Sequence, residues 1–100
     1  MPTEQEFTEA MYNIYRRARN ECDYNATRFL QMLTEHNGLG TARILIHSER
    51  VSDGYTALWD RGRLDLTVEA LVLQPPWDEL FTNEELEIAR NRLRQYQYNV

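Results

Sequence analysis

Phe7, Ala10, Met11, Ile14, Tyr15, Ala18 and Cys22 recur at three- and four-residue intervals. An apolar stripe of that period is brought to one side of the chain only by winding the segment into an α-helix. The spacing predicts a helix over residues 4–22. Thr3 and Glu6 stand at its start with capping-box spacing, in which each side chain accepts from the other residue's amide. Its acids, Glu4, Glu6 and Glu9, come early, and Arg16, Arg17 and Arg19 come late. That order opposes the helix dipole at both ends.

The same logic recurs along the chain. A second helix is expected over residues 26–36, with Asn25 as N-cap, Tyr24 and Phe29 as a hydrophobic staple, and Asn37-Gly38 as a left-handed stop. A third is expected over 41–47, carrying Ala42, Ile44, Leu45 and Ile46. After the polar connection SERVSDG, Ser52 or Asp53 can cap a short helix through Tyr55, Leu58 and Trp59. The last helix is expected over 83–96, opened by Thr82 and Glu85 as a second capping box and closed by Arg90, Arg92 and Arg94.

The most apolar stretch, GRLDLTVEALVLQPPW, carries Asp65 and Glu69 four residues apart. Leu66, Ala70 and Leu73 share one helical face, with Asp65 as N-cap and both carboxylates on a narrow wet edge facing Arg61 or Arg63. Pro75-Pro76 ends the segment. Its short alternation and two valines leave a β-strand as the rival reading. The expected fold is a single all-α domain over residues 1–100, built from six or seven short helices.

Composition bounds the function classes. The net charge is −5, with eleven arginines and no lysine, so the basic excess of a general nucleic-acid binder is missing. No apolar run reaches the ~20 residues of a bilayer span, and MPTEQEF has no signal-peptide pattern. Cys22 stands alone and reads as a small buried hydrophobe of a reducing, cytoplasmic compartment.

Few constellations carry chemistry. Asp65 and Glu69 form a candidate acid–base or hard-metal pair, but no histidine joins them at helical spacing. Cys22, His36 and His47 lack paired ligand spacing, so neither a metal nor a cofactor is expected. No catalytic residue is assigned. The NGLG joint between the second and third helices resembles a helix-turn-helix, with Leu33, Leu39 and Ile44 as its core. Yet TARILIHS offers one arginine where a reading face needs several donors and acceptors.

Two sets of residues remain. Arg28, Arg61, Arg63, Asp65 and Glu69 could surround a small anionic ligand. Trp77, Tyr96 and Tyr98, from a chain rich in tyrosine and arginine, could form a protein interface.

The blocks NATRFL, GLGTARILIHS, GYTALWDRGRLDLTVEALVLQP and LFTNEELEIARNRLRQY resemble a family of small uncharacterised bacterial proteins. The likeness runs from Met11 to Tyr96, and the GYTALW…GRLDLTVEALVL block is its specific part. It implies a bacterial or phage origin and a free-standing domain, with defence or counter-defence as a setting. It assigns no activity, so no site residue is carried over. The expectation is a module that binds a protein partner or a second copy of itself. The alternatives are an anion-binding domain or enzyme and a weakly nucleic-acid-associated protein.

Overall fold

Thr3 and Glu6 close the expected capping box, and helix α1 runs Glu4–Cys22 behind it, in a computed structural model that describes residues 2–99. The chain continues through α2 (Thr27–His47), α3 (Asp53–Asp60), a 3-10 turn (Leu64–Leu66), α4 (Val68–Val72), a second 3-10 turn (Trp77–Leu80) and α5 (Asn83–Gln95). No strand occurs among the described residues, so the fold is all-α. Five α-helices and two 3-10 turns stand where six or seven short helices are expected.

The second and third expected helices are one element broken at a joint. Asn37 sits at φ 61°, ψ −176°, a conformation that interrupts α2 and divides it into two legs. The positive φ fits the expected stop, but the extended ψ is not that of a left-handed cap, so the chain turns and winds on. Gly38 packs directly on α1: its amide donates to Thr8 Oγ1 at 2.9 Å, and a Cβ there would lie 2.6 Å from Thr8 Cα. The joint thus rides on the second turn of α1.

The cap of α2 also differs from expectation. Ala26 is the N-cap and offers no side-chain bond; Asn25 instead accepts from the Tyr15 hydroxyl at 2.8 Å. Tyr24 packs on the Ala18–Leu58–Leu66 cluster and Phe29 on the main core.

The apolar stretch is not one helix from Asp65. Its first turn is 3-10, and Thr67 caps α4, accepting from the Ala70 amide and donating to the Leu64 carbonyl. Leu66 and Ala70 of the expected inward face are buried, but Leu73 is only half-buried, and Thr67 is buried as well. All five residues of α4 are buried. Val68, Leu71 and Val72 join Phe7, Met11, Ile14, Leu33 and Ile46 in the main core, while Ala70 joins Tyr55, Leu64 and Leu93 in a second cluster.

Candidate functional site

The expected wet edge does not exist at Glu69. Its side chain is only 4% exposed and accepts from Arg92 Nη1 at 3.1 Å. Arg92 also donates to the carbonyls of Leu45 and Ser48, so its guanidinium closes the open end of α2. The partner is thus Arg92 of α5, and neither Arg61 nor Arg63. Burial pushes the Glu69 carboxyl above the usual carboxylate range, against the pull of its own amide and of Arg92. The Tyr55 hydroxyl, which donates to the Arg92 carbonyl, is pushed up by burial and by the charge of Glu69.

The other expected anion-site residues are also committed. Arg63 grips Asp65 through two nitrogens and reaches Glu21 Oε1 at 2.8 Å. The Arg63 hydrogen bond holds Asp65 below the usual range; hydrogen bonds from Arg17 and Arg63 hold Glu21 down at about 2. Arg61 donates to the carbonyls of Cys22 and Ala57 and lies over the Tyr24 ring. Of the five residues, only Arg63 and Asp65 meet; Arg61, Glu69 and Arg28 are held apart from them.

A third cluster is centred on Glu85, the capping-box acid of α5. Its side chain accepts from the Thr82 amide and from Arg43 Nε, and His47 Nε2 lies 2.8 Å away. Burial raises its carboxyl, but these hydrogen bonds and the Arg43 charge outweigh it and leave the pKa lowered. Arg43, the one arginine of the would-be reading helix, is therefore spent on Glu85 and the Leu80 carbonyl. Ile44, assigned to the core of that motif, is instead 46% exposed. Among the described residues, no three His, Cys, Asp or Glu side chains could hold a metal.

The aromatic residues expected at an interface are half-buried packing groups. Trp77 meets Phe7 edge-on, Tyr96 bridges Tyr55 and Trp59, and Tyr98 packs on the second cluster. The exposed member of that stack is Trp59.

A cleft of about 460 Å³ opens between the legs of α2. The first leg contributes Arg28, Phe29 and Met32; the second contributes Ile44 and Leu45 and leads into Ser48, Arg50 and Val51. Ile14 and Ala18 of α1, with Leu58, Leu66 and Val68, form an apolar floor. Arg28 is the one sequence-expected site residue that lines it. Ile44 and Arg50 went unrecognised; their signal was an isoleucine and an arginine placed beside a break whose direction only tertiary packing sets.

No protein family model, curated protein or solved structure matches the chain. Among the described residues, no helix is long and apolar enough to cross a membrane.

Proposed function

We propose that this chain is a non-enzymatic interaction module that holds an apolar segment of a protein partner in the α2 cleft. One observation carries the reading: the α2 cleft is floored by aliphatic side chains and keeps Ile44 half-exposed at its wall. Leaving apolar area in water costs about 25 cal/mol per Å², and such area gathered in a concave site favours a ligand that covers it. The competing catalytic reading loses its residues, since Asp65 and Glu69 are each neutralised by an arginine and face different partners. The cleft is partly open to solvent, which suits a chain segment better than a small molecule, whose sites enclose most of the ligand. A bacterial or phage setting, implied by the resemblance of the GYTALW…GRLDLTVEALVL block, fits such a module.

Selection of a random displayed peptide library on the folded domain tests this. Enriched peptides should perturb the methyl resonances of Ile44, Met32 and Val68 and lose at least about tenfold in affinity for Ile44→Asp, because a carboxylate on that wall must be desolvated. Peptides that map to the Trp59 face, or bind Ile44→Asp equally well, would overturn the reading.

A further inference from the structure

The cleft is apolar in its floor but not in its charge. Arg28 lies on the first leg of α2, Arg50 follows the second leg, and both residues line the cleft. Among the described residues neither makes an ion pair or a side-chain hydrogen bond. The chain carries sixteen acids against eleven arginines, and Arg17, Arg43, Arg61, Arg63, Arg90 and Arg92 are each bound by a carboxylate or a carbonyl. Of the arginines without such a partner among the described residues, Arg16, Arg19 and Arg94 lie away from the cleft, and Arg28 and Arg50 line it. With acids in surplus, these two cations still stand unpaired at the cleft. Asp53, the acid that lines the same cleft, is in the first turn of α3, where it complements that helix's own dipole.

The start of α2 points the same way. It has no acid in its first turn and no side-chain cap, and Arg28 stands where a carboxylate would be favourable. By contrast α1 and α5 both open on acids and capping boxes. The chain thus satisfies the N-termini of those two helices from within, as Ser52 and Asp53 do for α3 at the cleft, and leaves the start of α2 electropositive.

We propose that the cleft's occupant is an amphipathic acidic peptide segment, its apolar residues on the Ile14–Val68 floor and its carboxylates between Arg28 and Arg50. This rests on the binding reading above and adds the partner's chemistry. Guanidinium groups suit carboxylates because their planar fork donates two parallel hydrogen bonds. Placing them at the rim lets them select and steer the partner while the floor supplies most of the affinity.

The test is a pair of parallel peptide selections, on the wild-type domain and on the R28E/R50E variant. Both arginines are exposed, so the variant is expected to fold; its circular dichroism and melting curve check this. Wild-type binders should pair apolar residues with Asp or Glu and lose at least about tenfold in affinity for R28E/R50E, as expected for removed rim and near-rim charge pairs. The same peptides with Lys in place of the acids should regain binding to the variant. Peptides that perturb the cleft methyls but show no acidic bias, or bind both proteins equally, would overturn the proposal and leave the cleft reading standing. Enriched peptides that map elsewhere would overturn both. If laurate produced the cleft shifts and no peptide did, a small amphiphile would replace the peptide, and both would again fall.

Discussion

Glu69 and Arg92 show how a charge inside an apolar sequence is read wrongly when its partner is distant in the chain. Glu69 has Arg61 and Arg63 nearby in sequence, and the local reading makes it a rim group worth at most about 1 kcal/mol. Folding instead brings Arg92, twenty-three residues away, to 3.1 Å in the interior. Glu69→Ala would leave a guanidinium buried with only two carbonyl partners, and the expected loss is about 3 kcal/mol. A double-mutant cycle with Arg92→Met, followed by urea unfolding, checks the pairing. The double variant should lose clearly less than the sum of the singles, because it strands no charge. Additive losses would mean the two side chains do not sense each other. The signal that could have been read lies on α5: Glu85, Ala89, Arg92 and Tyr96 follow three- and four-residue spacing, which places two charged residues on the inward stripe. Their fit to the helix dipole hid that placement, since Glu85 and Arg92 satisfy both roles. Local chemistry was legible in the caps Thr3, Ser52 and Thr82, which need only residues three positions away. Ion pairs across the fold were not.

At the scale of elements, α1 and α5 follow from periodicity and capping because each is long, regular and two-faced. The α2 joint does not, because its geometry depends on a contact with α1. Asn37 occupies a backbone region that side chains avoid at a cost of about 1–3 kcal/mol, and nothing in the stretch EHNGLG distinguishes that turn from a simple stop. Gly38 is fixed by Thr8, thirty residues earlier. The two neighbours should therefore respond to substitution in opposite directions. Gly38→Ala drives a methyl into the Thr8 backbone and should cost about 1–3 kcal/mol. Asn37→Gly relieves the strained φ at the price of extra freedom in the unfolded chain, and a net gain of up to about 1 kcal/mol is expected. Thermal melts of both variants decide it. A tolerated Gly38→Ala would mean that the α1 contact does not set the joint, and with it the opening of the cleft.

For the molecule as a whole, the all-α class was legible because it needs only the repeat of the apolar pattern, while the central position of a five-residue helix was not. A helix as short as α4 has almost no stability alone, since nucleation outweighs its few hydrogen bonds. It exists because Val68, Leu71 and Val72 are held in the main core, Ala70 by Tyr55, Leu64 and Leu93, and the preceding Leu66 by Ala18 and Leu58. Exposing its amides requires all three clusters to separate, which is global unfolding. Native-state hydrogen exchange should therefore give the Leu71 amide, bonded to the Thr67 carbonyl at 3.1 Å, the free energy of complete unfolding measured in urea. The Leu30 amide, bonded to Ala26 in the uncapped first turn of α2, should exchange through a cheaper local opening. Seating a peptide in the cleft should raise the Leu30 value toward the global one, because Arg28 and Phe29 would then be covered, and should raise Leu71 only by the binding energy itself. Exchange at Leu71 more than about 2 kcal/mol below global unfolding would show α4 opening on its own, with the three clusters uncoupled.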